Sequence, residues 1–146
     1  MRRDNSLGLI FGIFIILHGL VHLLYFSQSQ RLFELRPGMV WPEGSWIFSR
    51  LYEKNAAKWL SSIIFILAAV TFMLAAIMFV AGGAGLILRQ TWWNLIVVTA
   101  ALFSSVIILL FWDGRRKTLV DQGGVGLLIN LVILALVLIF RWPGLG

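Results

Sequence analysis

The chain has 146 residues, 60% of them hydrophobic and 12% charged, whereas a soluble domain is about a quarter charged. This composition excludes an ordinary soluble domain and indicates an integral membrane protein of one domain. The net charge is +6, and the basic residues lie between long apolar runs. We therefore expect anionic lipid headgroups as their counter-charge and no nucleic-acid partner. Because the chain contains no cysteine, disulfide exchange, thiolate metal sites and cysteine nucleophiles are excluded.

Four apolar runs are long enough to cross a bilayer, which takes about 20 residues in a helix. We therefore predict an all-α fold, a four-helix transmembrane bundle that forms one membrane domain over residues 1–146. The helices are predicted at about residues 7–26, 57–80, 91–112 and 124–142. The first run is longer than a signal-peptide core and lacks a small-residue cleavage site, so we interpret it as a retained helix.

The connecting segments differ in length and character. Residues 27–56 form an interfacial loop, in which the spacing of apolar residues over 45–55 predicts a short amphipathic helix or an early start of the second span. A turn containing Gly82, Gly83 and Gly85 is predicted between the second and third spans. A polar loop over residues 113–123 is predicted between the third and fourth spans.

Tryptophans and basic residues support this arrangement. The seven tryptophans all lie near the predicted ends of spans or in the first loop, as expected for interfacial anchors. We call the membrane face with loops 27–56 and 113–123 the loop face, and the opposite one the terminal face. The loop face carries eight of the twelve Lys and Arg residues, which predicts a multi-pass cell-membrane protein with this face in the cytoplasm. Arg2 and Arg3 favour the opposite orientation.

Polar side chains within the apolar runs concentrate at one predicted depth. At 1.5 Å per helical residue, they lie roughly 6–12 Å from the loop face, in one leaflet. Polar groups are costly in hydrocarbon and tend to mark function, so we predict a polar pocket there. The polar residues are His18, His22, Ser61, Ser62, Ser104, Ser105 and Asn130. As ligand-binding contacts we nominate His18, His22, Asn130, Ser61 and Ser105.

His18 and His22 are the sharpest feature, because the i, i+4 spacing places both imidazoles on one helix face. Such a pair can bind one divalent metal, although further ligands would have to come from Asp113, Glu53 or water. It cannot hold both faces of one haem without a second subunit. Three readings therefore stay open: neutral structural histidines, a ligand or proton site, and a metal or haem site. No cofactor is required by the sequence.

Gly8, Gly12 and Gly19 share another face of the first helix, and Gly8 with Gly12 has the GxxxG spacing that permits close helix approach. This face is expected to pack on protein, within the bundle or across a dimer. A homodimer or a larger membrane complex is an expected partner. The bilayer itself is the other expected partner. Since no nucleophile–base–orienter set is visible, the sequence disfavours an enzyme.

Three segments together resemble a known group: HGLVHLLYF, WWNLIVVTAALFSSVIILLFW and GLLINLVILALVL. They are similar to small prokaryotic four-helix membrane proteins, loosely like the DoxX-type families. The resemblance covers most of the membrane portion, implies a four-helix fold and nominates His18, His22 and Asn130. DoxX-type proteins have been linked to redox partners, but this chain has no thiol for such chemistry. We expect a binding or transport module for a small polar or lipid-like ligand; the alternatives are a metal or haem redox protein and an accessory subunit.

Overall fold

The computed structural model describes residues 2–34, 36–39, 41–52 and 58–143, apart from the side chains of residues 2–5, 51, 52, 58 and 61. Every regular element in these ranges is helical. The helices are α1 (Arg2–Ser29), α2 (Trp46–Tyr52), α3 (Lys58–Ile87), α4 (Trp93–Phe111) and α5 (Val125–Leu134). Four helical segments are long and apolar enough to cross a membrane: Ser6–Ser29, Ser62–Ile87, Trp93–Phe111 and Val120–Ile139. The chain is thus an all-α four-helix membrane bundle, as the sequence predicts.

The predicted glycine turn is wrong, because α3 continues through Gly82, Gly83 and Gly85 and ends at Ile87. Glycine is used there for close packing. A Cβ atom on Gly83 would lie 2.7 Å from the carbonyl oxygen of Gly12, so only a residue without a side chain lets α1 and α3 approach so closely. The actual turn follows at residues 88–92, where Arg89 adopts a left-handed conformation (φ 56°).

The glycine face predicted on α1 is partly the face that packs on α3. A Cβ atom on Gly12 would meet the side chain of Ile87 at 2.6 Å, and one on Gly19 would meet Cβ of Phe79 at 2.7 Å. Gly8 has open space around it, so the GxxxG spacing itself is not what joins the two helices. Consecutive spanning helices are neighbours: α1 packs on α3, α3 on α4 and α4 on α5.

The first loop folds back over the loop face. The backbone N–H of Trp46 donates to the carbonyl oxygen of Trp112 (2.8 Å), and its indole N–H donates to that of Leu109 (2.9 Å). Helix α2 therefore begins beside the end of α4, and its N-cap residue Ser45 accepts a bond from Phe48 N (3.4 Å). Trp41 lies deeper than an interfacial tryptophan would, with only 2% of its surface exposed.

The fourth span is irregular at both ends. Helical turns begin at Val120, but Gln122 and Gly123 leave the helical conformation, and Gly123 has a φ of 105° that favours glycine. Regular α5 follows, and the last turns, Ala135–Ile139, are wider π-type turns. The span therefore starts earlier than the predicted residue 124, and it has a kink where the chain enters the bundle.

Candidate functional site

Four buried polar side chains from three helices meet at the centre of the bundle. His18 and His22 extend from α1, Ser104 from α4 and Asn130 from α5, and each is at most 4% exposed. Three bonds join them: His18 Nε2 to Asn130 Oδ1 (2.8 Å), His22 Nε2 to Ser104 Oγ (2.6 Å) and Asn130 Nδ2 to Ser104 Oγ (2.9 Å). We call these four residues, with Ser105 at their edge, the polar cluster.

The donor and acceptor of each hydrogen bond in the polar cluster follow from the bond that His22 Nδ1 makes. His22 Nδ1 lies 3.0 Å from the carbonyl oxygen of His18, which can only accept, so Nδ1 carries a proton. A charged ring at the bundle centre would lack a carboxylate partner among the described residues, so His22 is neutral and its Nε2 accepts from the Ser104 hydroxyl. Ser104 Oγ can then only accept from Asn130 Nδ2.

The rest of the network follows. With its amide nitrogen facing Ser104, Asn130 presents Oδ1 to His18, so His18 is protonated at Nε2. The second N–H of Asn130 donates to Ser105 Oγ (3.2 Å), whose hydroxyl donates to the carbonyl oxygen of Ala101 (2.7 Å). The two histidines thus hold opposite tautomers. A network satisfied in this way rigidifies a core and fixes one arrangement of its helices.

Aromatic rings enclose the polar cluster on both sides. Phe79 of α3 contacts both imidazoles, with ring centroids 4.8 Å from His18 and 5.2 Å from His22. Toward the loop face, Tyr25 meets His22 edge-on and Phe72 lies tilted against it, with ring centroids 6.3 and 6.4 Å away. Trp41 covers them, with its centroid 5.5 Å from that of Phe72. The first loop therefore contributes a buried aromatic cover over the cluster.

His18 and Asn130 lie nearer to the middle of their spans than predicted, whereas Ser104, seven residues from Phe111, lies at the predicted depth. His18 is twelve residues from Ser6 and eleven from Ser29, and Asn130 is ten residues from Val120 and nine from Ile139. His22 lies only about 6 Å further toward the loop face, given the helical rise. The difference for His18 and Asn130 arises because the first span extends beyond the predicted Phe26 and the fourth begins before the predicted Gly124.

The nominated residues differ in their placement. The structure brings His18, His22, Asn130 and Ser105 together, while the side chain of Ser61 lies outside the described residues and Ser62 is exposed. Ser104, which was not among the nominated contacts, bonds both His22 and Asn130, whereas Ser105 bonds only Asn130 within the polar cluster. The sequence indicated this serine pair but could not show which member faces inward, because that depends on the rotation of α4.

Both Nε2 atoms of the histidine pair, which a metal would need as ligands, already form hydrogen bonds. No group of three His, Asp or Glu residues that could hold a metal ion occurs among the described residues. Asp113, a predicted further ligand, accepts bonds from Arg115 N (2.8 Å) and Thr118 Oγ1 (2.6 Å) in its own loop. Glu53, the other candidate, lies outside the described residues. A metal held by both Nε2 atoms would therefore have to displace Asn130 and Ser104.

A scan against protein-family models finds no match, and searches of curated proteins and of solved structures return no significant match.

Proposed function

We propose that the protein is a membrane-embedded binding or transport module for a small, uncharged, hydrogen-bonding ligand. The observation that carries this is the convergence of two imidazoles, a carboxamide and two hydroxyls at the middle of the spans. Polar groups at that depth are costly, and one pair would be enough to hold two helices together. In this proposal the described network is the closed state, and a ligand takes over part of its bonds.

The charge of the ligand follows from the charge of the cluster. No Asp, Glu, Lys or Arg side chain hydrogen-bonds to any member among the described residues, so an ion would lie in hydrocarbon without a counter-charge. Asp121 is the one such residue in the described part of the four spans, and it lies at the end of its span. A neutral solute with both donor and acceptor groups, such as an amide or a polyol, fits this environment.

The irregular fourth span also favours a binding role. Asn130 lies on a regular segment between the kink at Gln122–Gly123 and the wide turns of Ala135–Ile139. Interrupted helices commonly carry the midplane binding sites of membrane transporters, and wide turns are frequent at functional sites. A segment bounded in this way can rotate Asn130 away from His18 without unwinding the whole span.

The test uses reconstituted protein and defined probes. Urea and glycerol are offered to proteoliposomes, and their entry is followed by light scattering. Wild-type protein is expected to respond, and the Asn130→Leu and Ser104→Ala variants to lose the response. Thr99→Val is the matched control, because Thr99 lies on α4, is exposed and, among the residues that the structure describes, donates only to the carbonyl oxygen of Leu95 in its own helix. Equal responses from Thr99→Val and Ser104→Ala would refute the proposal.

Three further points are part of this proposal. The chain resides in the cell membrane with its loop face in the cytoplasm, which rests on the excess of Lys and Arg at that face. Its kinship with DoxX-type proteins rests on the three quoted segments. A homodimer or a larger membrane complex would use the lipid-facing surfaces of the bundle.

A further inference from the structure

A second feature, which shares no residue with the polar cluster, is a cavity of about 690 Å³ at the loop face. It lies between the first loop and the loop that joins α4 to α5. Because α4 ends at Phe111 and α5 begins at Val125, this level is where the spans leave the membrane. The lining includes Arg36 and Ser49 from the first loop, and Arg115, Lys117 and Gln122 from the second.

The charges around the cavity are unevenly compensated. Asp121 pairs with Arg36 at 3.1 Å, and Asp113 accepts bonds from Arg115 N and Thr118 Oγ1. Both carboxylates therefore have partners within the loops. The guanidinium of Arg115 and the ammonium of Lys117 form no ion pair with any residue that the structure describes. With Arg36, Arg115 and Lys117 against Asp113 and Asp121, the lining carries a net charge of +1. Arg115 and Lys117 are its two cations without an ion pair among the described residues.

Gln122 adds a fixed polar group to these cations. It is 2% exposed, and its side-chain oxygen accepts a bond from the backbone N–H of Asp113 (2.9 Å). Its amide nitrogen can only donate, as can Arg115 and Lys117. Convergent donors that include a guanidinium and an ammonium are the groups by which proteins bind phosphate oxygens.

We propose that this cavity binds a phosphate-bearing anion, with Arg115 and Lys117 as its charged contacts. The phosphate comes either from the headgroup of an anionic lipid or from a soluble phosphate compound. A volume of this size is within the range of about 300–1,000 Å³ typical of small-molecule sites, so it admits a glycerophosphate headgroup. Its position at the end of the spans is the level at which basic residues meet anionic lipid.

The test is native mass spectrometry of the full chain in nanodiscs that contain phosphatidylglycerol and phosphatidylcholine. The expected result is preferential retention of phosphatidylglycerol, weakened about tenfold or more by Arg115→Gln and by Lys117→Gln, because each variant removes a charge-assisted hydrogen bond to the phosphate. The matched control is Arg116→Gln, because Arg116 lies in the same loop with the same charge but does not line the cavity. This variant is expected to weaken retention by no more than about fivefold, the factor for losing one basic residue at an anionic surface.

A second arm separates the two sources of phosphate. Inorganic phosphate and glycerol 3-phosphate are titrated against the detergent-solubilised protein, and binding is followed by calorimetry. The site would be assigned to a soluble phosphate if these compounds bind to the wild type, Arg115→Gln abolishes this binding, and the nanodiscs show no preference for the anionic lipid. Equal loss of lipid in all three variants would show general surface attraction and overturn the proposal. No preference for the anionic lipid together with no binding of soluble phosphate would also overturn it.

Discussion

The imidazole of His18 donates to the carboxamide of Asn130 at 2.8 Å, although 112 residues separate them in the chain. Consecutive spanning helices make most of the contacts, and this bond joins the first spanning helix to the last, as the shared core of Phe11, Ile15, Ile133 and Val137 also does. Membrane helices cannot rely on hydrophobic attraction to one another, so such polar contacts and close packing decide their arrangement.

Replacing Asn130 with leucine is expected to destabilise the bundle by about 2 kcal/mol, because the variant leaves the buried N–H of His18 without an acceptor. The lost bonds to Ser104 and Ser105 add to this effect. The measurement is equilibrium unfolding in mixed detergent micelles. Thr99→Val serves as the control and should change the free energy of unfolding by less than about 0.5 kcal/mol. A similar small change in Asn130→Leu would mean that the network contributes little to stability.

The opposite tautomers of the two histidines can be observed directly. Nitrogen-15 NMR of the imidazole rings should show the proton of His18 on Nε2 and that of His22 on Nδ1, because these atoms donate to Asn130 Oδ1 and to the carbonyl oxygen of His18. The Ser104→Ala variant should leave the His22 proton on Nδ1, since its acceptor is a backbone group. Finding the same tautomer at both positions would contradict the bond directions derived above.

The contact between α1 and α3 provides a matched pair of glycine variants. Gly83→Ala is expected to destabilise the protein by about 1–3 kcal/mol, because its new methyl group would lie 2.7 Å from a backbone oxygen of α1 and the helices would have to separate. Gly8→Ala adds the same methyl group where nothing lies within 4 Å, so stability should be retained. Thermal unfolding of both variants in the same detergent tests this, and equal melting temperatures would argue against the contact.

Gln122 is expected to hold the loop between α4 and α5. Gln122→Leu keeps a similar volume but removes the acceptor for Asp113 N, so the loop should open more often. Limited trypsin digestion should then cleave after Arg115, Arg116 or Lys117 several times faster than in the wild type. Gln90→Leu is the control, since Gln90 is exposed near the other end of α4. Unchanged digestion would show that other contacts hold this loop.

The orientation can be tested without background labelling, because the natural chain has no cysteine. If the loop face is cytoplasmic, an Arg116→Cys variant in intact cells should resist a membrane-impermeant maleimide and react after the membrane is opened. Ser6→Cys, near the opposite end of α1, should be labelled in intact cells. The reverse pattern would place the loop face outside.

Much of this fold could be predicted from the sequence, since the length of an apolar run and the position of tryptophans depend only on the bilayer. The glycines of α3 misled the prediction, because a glycine that ends a helix and one that lets another helix approach have the same local sequence signal. His18, His22 and Asn130 could be nominated from their polarity. The inward position of Ser104 and the burial of Trp41 depend on helix rotation and on how the first loop folds back, which local patterns do not encode.

The neutrality of the polar cluster has a consequence for its response to voltage. Moving one elementary charge across the membrane against 100 mV takes about 2.3 kcal/mol, which is how voltage sensors open and close. The hydrogen-bonded groups at the centre of this bundle carry no net charge, so an electric field exerts almost no force on their rearrangement. The hydrogen bonds of the polar cluster should therefore rearrange at the same rate in cells with and without a membrane potential.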